Sequence, residues 1–224
     1  SQKLNVNESM NLLMKISSNP IPLTECLEKS LLKLAYDEQL SKKKLRHQAV
    51  ITLATMIRVS PDTNKYDHIV KGFIQNMKDS KHDSERAIYV YALQNADTFE
   101  SRLELIDIAR GLGDEYKDLS GHIRALAANC IKYDQYRDFI FQDLIDDDKQ
   151  DFEVRASALN VLLDSIDDVQ SSKIINNLLL EYDEQELYQL LYRKLGGISK
   201  MTSRNKAKAM EATKILHQLK KPII

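Results

Sequence analysis

The chain has 224 residues, 32 of them basic and 33 acidic, for a formal net charge of −1. That balance lacks the basic footprint that drives nucleic-acid binding, and a 43% hydrophobic content is too high for a disordered segment. Gly (6) and Pro (4) are scarce and Trp is absent, so breakers are few and straight-chain residues many, a composition that favours helices.

Apolar residues recur at three- and four-residue spacing along almost the whole chain, and strict alternation is nearly absent. The spacing predicts a first helix over 7–17, with Met10, Leu13, Met14 and Ile16 inward. Pro20 and Pro22 then interrupt the pattern, and a second helix follows over 24–36 with Thr24 as its N-cap. Further helices are predicted over 43–58, 65–78, 83–94, 98–110, 115–131, 135–146, 151–164, 168–181, 184–195 and 203–219. The links between them carry turn chemistry, as at Ser60-Pro61-Asp62, Gly111-Leu112-Gly113 and Gly196-Gly197. Links this short force neighbouring helices antiparallel.

Four of these helices share a register of Arg, a small residue three positions on and an aliphatic seven on. The sets are Arg46/Ala49/Leu53, Arg86/Tyr89/Leu93, Arg124/Ala127/Ile131 and Arg155/Ala158/Leu162, with Tyr89 in the small-residue place of the second. The arginines are 40, 38 and 31 residues apart (46 to 86, 86 to 124, 124 to 155), one helix pair each. Positions three and seven along lie on one helix face, where Ala permits close approach of a neighbour and the aliphatic fills the space between layers. The expected fold is therefore all-α: a single domain over 1–224 built as a two-layered, right-handed α-α superhelix, a horseshoe-like solenoid of antiparallel helix pairs. The chain starts Ser1-Gln2-Lys3 without Met and stops at Lys221-Pro222-Ile223-Ile224 without a polar cap, which reads as an excised piece of a larger array.

Catalytic signals are poor. The five histidines (47, 68, 82, 122 and 217) are scattered, with no H-E-x-x-H. His82-Asp83 with Glu85 reads as a solvated loop, and the acidic run Asp143, Asp146, Asp147, Asp148 and Asp151 lacks the spacing of a calcium loop. Gly111-Leu112-Gly113 ends a helix rather than cradling a phosphate. Tyr188 and Tyr192 make an aromatic helix face, and Cys26 and Cys130, 104 positions apart, read as two buried free thiols. No cofactor, metal or catalytic residue is assigned, and the chain is read as a non-enzyme. No apolar run approaches the ~20 residues a membrane span needs. Asn7-Glu8-Ser9 is an N-glycosylation sequon, which makes Asn7 an acceptor if the parent protein is secreted.

Four stretches, in order, resemble the helical domain of the large lipid transfer proteins, namely vitellogenins, apolipophorins and the microsomal triglyceride transfer protein. They are Leu45 to Leu53, Tyr91-Ala92-Leu93-Gln94-Asn95-Ala96, the pair His122 to Ala128 with Phe152 to Leu162, and Glu181 through Leu195 to Ser199. Gln94 and Asp97 stand where the family's A-L-G-N-A-G turn has glycines. The resemblance covers roughly residues 40–220. It implies a structural domain of a secreted lipoprotein or lipid transport protein, apolipophorin-like or vitellogenin-like, with mite allergens of that kind as one candidate source. In such proteins this domain braces β-sheets around a lipid cavity, so the implied partners are lipid, through regions outside this chain, and β-sheet domains of the same parent. Self-association of the separate piece is expected from exposed apolar faces. The alternative is an intracellular HEAT-like adaptor for protein–protein interaction, which the same register fits and which free cysteines suit.

Overall fold

Each predicted helix has a counterpart in the computed structural model, which describes residues 5–36, 43–131, 137–181, 185–201 and 205–219. The described residues form thirteen α-helices and one 3-10 turn, with no strand. The chain divides into two compact units, residues 1–123 and 124–224.

In the first unit, α1 (Val6–Ser18) opens with a capping box, in which Asn5 accepts from the Glu8 amide at 3.0 Å and Glu8 accepts from the Asn5 amide at 2.8 Å. α2 (Glu25–Ala35) starts at the expected cap, Thr24. α3 (Lys43–Arg58) is the hub: α1, α2 and α5 (Asp83–Ala96) all pack on it. Ala49, Leu53, Ala54, Met56 and Ile57 are consequently wholly buried. The two threonines of this enclosed helix, Thr52 and Thr55, donate their hydroxyls to Gln48 and Ile51 one turn back, both at 2.7 Å. A polar group so buried would otherwise cost about 1–3 kcal/mol. Ser17 meets Thr52 and Gln48 while Leu13 meets Thr52, which runs α1 antiparallel to α3.

The turn at Ser60 behaves as expected and also staples the α1–α2 link. Ser60 accepts from the Leu23 amide at 2.9 Å, and the buried Tyr66, in a 3-10 turn over Asn64–Tyr66, donates to the Leu23 carbonyl at 2.6 Å. α4 (Asp67–Asp79) and α5 are joined by three residues and pack as a hairpin. α6 (Phe99–Arg110) packs on both. Thus α3 and α5 form one layer, and α4 and α6 the other. Gly111 ends α6 in the left-handed conformation (φ 66°), with the Leu112 amide donating to Asp107 at 2.9 Å in a Schellman closure.

In the second unit, α9 (Arg137–Asp146), α11 (Val169–Glu181) and α12 (Gln185–Ile198) surround α10 (Phe152–Asp164), and α13 (Lys206–Gln218) closes on α12. α10 is the counterpart of α3, with Val154, Ala158 and Leu162 fully enclosed. Ser171 donates to Asp138 at 2.8 Å across α11 and α9, and Ser172 to Glu211 at 2.7 Å across α11 and α13.

Four expectations are corrected. The helix predicted over 115–131 is two, α7 (Asp114–Lys117) and α8 (Gly121–Cys130), because Ser120 accepts from the Ile123 amide and starts a new helix. The Gly196-Gly197 turn is instead inside α12, which continues because buried Leu195 and half-buried Ile198 keep its apolar face in register. Met14 points outward (52% exposed), since α1 packs on one helix through Leu13. Cys26 is exposed, because α2 buries Leu31 and Ala35 on its other side; Cys130 is buried, and neither forms a disulfide. The expected helix starts at 135–136, 184 and 203–204, residues 182–183 of the resembling segment and the uncapped end 221–224 lie outside the described residues.

Gly197 is helical, exposed and has open space where a Cβ would stand. Gly197→Ala should therefore stabilise the protein by about 0.5–1 kcal/mol in urea unfolding. A destabilised variant would return this position to a turn.

Candidate functional site

The repeat positions fall on α3, α5, α8 and α10, and their small and aliphatic members are core. Ala49, Leu53, Leu93, Ala127, Ala158 and Leu162 are wholly buried, and Ile131 is 5% exposed. The arginines have a role that spacing alone did not reveal. Arg46 donates from Nε to the carbonyl of Ala35, the last residue of α2 (3.4 Å), and Arg155 donates from Nε to that of Ile145 in the last turn of α9 (2.9 Å). A helix C-terminus leaves carbonyls without intrahelical donors and carries partial negative charge, and each guanidinium answers both needs across the hairpin. Arg86 instead donates to Asp83 in its own first turn at 3.0 Å, and Arg124 donates to Gln150 ahead of α10 and lies 3.7 Å from Asp151. Ser120 donates to the other Asp83 oxygen at 2.5 Å, and this bond, joined by Arg86, holds the carboxyl below its usual range.

Where Tyr89 replaces the small residue, a cavity of about 460 Å³ opens between the C-terminal ends of α2 and α4 and the first turns of α3 and α5. Its polar lining brings together Lys43, Arg46, His47, Lys81, His82 and Glu85, with the Tyr89 phenol. The histidines that looked scattered in the sequence thus include two in one pocket. Lys43 pairs with Glu85 at 2.5 Å, and Asp79, at the rim, accepts from Gln75 at 2.9 Å. Burial, followed by Lys43 and Arg46, pushes the His47 imidazole below its ordinary value, with Glu85 opposing. Burial raises the Tyr89 phenol, against the pull of Arg46, and burial with Tyr89 nearby pushes Tyr36 up to about 12. A second cavity, about 720 Å³ and more apolar, lies along α13 by Met201, Met210 and His217.

A third cluster centres on Lys78. Its ammonium lies 3.6 Å from Glu104, 3.1 Å from Glu115 and 4.9 Å from the ring centre of the buried Tyr116. Burial raises the carboxyl of Glu104, with Asp107 adding to it and Lys78 opposing; burial likewise raises Asp107. Among the described residues no group of His, Cys, Asp and Glu is arranged to hold a metal ion. Asp147 of the acidic run is a turn residue that accepts from the Lys149 amide and Gln150. Asn7 is exposed in the first turn of α1, and Tyr188 and Tyr192 are half-buried on α12. No helix among the described residues is long and apolar enough to cross a membrane. No family model, curated protein or solved structure matches the chain.

Two outcomes follow from these contacts. Arg155→Ala removes a buried, charge-assisted bond and should cost about 2–3 kcal/mol, whereas Arg46→Ala, half-buried with a longer bond, should cost under about 1 kcal/mol. Equal losses in denaturant titration would dissociate the caps from stability. For Glu104, a raised native pKa means the folded state holds its proton longer than the unfolded chain. Its contribution is therefore full below the unfolded value and falls as pH rises through the native one. The stability of wild type minus that of Glu104→Gln should thus decrease from pH 4 to pH 7, and a difference that grows with pH would contradict the assignment.

Proposed function

We propose that this chain is the helical domain of a large lipid transfer protein of the vitellogenin and apolipophorin type. It serves as a non-catalytic scaffold that braces a lipid cavity formed by other regions of a secreted parent. The observation that carries this reading is the helix end at Asp97. There the resembling family has glycine, and Asp97 adopts the left-handed conformation glycine favours (φ 50°, ψ 35°). Arg102 sustains it, donating to the Asp97 carboxylate at 2.7 Å and to its carbonyl at 3.3 Å. A left-handed helix end at this position is what a glycine there would supply, and that supports the reading.

Apolar exposure on α6 agrees with a scaffold that covers a further layer. Phe99 (74% exposed) and Leu103 (44%) are four residues apart on one helix face. The two-layered packing of α3 to α6 in the first unit is also what a horseshoe-like superhelix would require. A second reading, an intracellular adaptor of the HEAT type, is favoured by one observation: neither Cys26 nor Cys130 forms a disulfide.

The transcript surrounding this region separates the two. The lipid-transport reading expects a signal peptide and a β-rich segment ahead of residue 1 and β-strand segments after residue 224. An upstream sequence that is helical repeat without a signal peptide would exclude it in favour of the adaptor.

A further inference from the structure

The second repeat departs from the register at one place, Tyr89, and the pocket lies there. In the other three repeats Ala at this position is buried against a neighbouring helix. Tyr89 instead remains half-buried, and its ring forms one wall of the cavity. Departures from a packing rule without a packing gain concentrate at sites with a task.

The chemistry of the walls indicates what fits. Arg46 spends its Nε on the Ala35 carbonyl, and its two terminal nitrogens make no hydrogen bond among the described residues. The side chains of Lys81 and His82, on the α4–α5 link, likewise make no hydrogen bond or ion pair among the described residues. His82 is the N-cap of α5, and its imidazole makes no capping hydrogen bond there. Of the two acids, Glu85 is neutralised by Lys43, which leaves Asp79 at the rim against Arg46 and Lys81. The pocket therefore has surplus donors and surplus positive charge in a chain whose overall charge is −1. A planar guanidinium with two free nitrogens matches a tetrahedral oxyanion in a bidentate manner, and the Tyr89 phenol can donate beside it. At about 460 Å³ the space exceeds a bare oxyanion and admits a small organic group attached to it.

We propose that this pocket binds a phosphate monoester, with Arg46, Lys81 and His82 on the phosphoryl oxygens and Tyr89 along the organic part. This site does not depend on the lipid-transport reading. The shared chemistry is the phosphoryl group, which a soluble ester or a phospholipid headgroup could supply.

Titration of the full chain with inorganic phosphate, followed by amide and arginine side-chain NMR, tests it directly. Saturable shifts are expected at residues 81–86 and at the Arg46 side chain, beyond those from sodium chloride at equal ionic strength. Arg46→Met should weaken binding by about tenfold and Lys81→Ala by about threefold, while Lys44→Ala, outside the pocket, should leave it unchanged. Lys81 is exposed and holds no structural contact, so its variant reports on binding even if Arg46→Met impairs folding. Shifts that match the chloride control, or phosphate affinity unchanged in Lys81→Ala, would overturn the site. Co-sedimentation with phosphatidylcholine vesicles containing phosphatidic acid, competed by inorganic phosphate and lost in Lys81→Ala, assigns the headgroup as the source. Phosphate binding without co-sedimentation assigns a soluble ester.

Discussion

Enclosing the central turns of a helix is the constraint on which the rest of this structure depends. α3 is covered by α1, α2 and α5, and a helix surrounded in this way can present neither bulk nor an unpaired polar group to its neighbours. Ala49 and Ala54 supply the close approach, Leu53, Met56 and Ile57 fill what remains, and the threonines turn their hydroxyls back onto the helix itself. α10 solves the same problem in the second unit with Val154, Ala158, Leu159 and Leu162. The register of Arg, Ala and aliphatic follows from this. The aliphatic and, in three repeats, the alanine face inward, and the arginine sits one turn earlier, where in two repeats, at Arg46 and Arg155, it reaches the end of the preceding helix.

In those two repeats the placement suits arginine rather than lysine. Its Nε donates sideways to a carbonyl while the rest of the guanidinium remains available, a division a point-charge ammonium cannot make. Arg155 uses this at a buried end and Arg46 at a more open one. The pocket beside Arg46 follows from the same geometry. With Nε committed to α2, the fork faces the space that Tyr89 keeps open between the helix ends. A packing device and a candidate binding site therefore share one side chain, which is why stability and phosphate affinity must be measured separately there.

Much of the fold was legible in the sequence because apolar spacing reports burial directly. Thr24 as a cap, Gly111 as a helix end and Ser60 as a turn were readable from local chemistry, and each is found in that role. What spacing could not convey was how many neighbours a helix has. Met14 and Cys26 lie on apolar-looking stretches, yet α1 and α2 are each covered on one side only, so both side chains face outward. The glycine pair at 196–197 looked like a stop, but glycine ends a helix only when the chain takes a positive φ, and here buried Leu195 and half-buried Ile198 hold the helix through it. The pocket was invisible for a different reason. His47 and His82 are 35 positions apart, and only the packing of α3 on α5 brings them together. The one local sign was Tyr89 in a place otherwise held by alanine.

Native-state hydrogen exchange measures the enclosure most directly, because it assigns an opening free energy to each helix. If α3 and α10 are the enclosed centres of their units, their amides exchange slowest, through unfolding of the whole unit, while those of α1 and α13 exchange through smaller openings. Amides of α3 exchanging as fast as those of α1, or of α10 as fast as those of α13, would contradict the account.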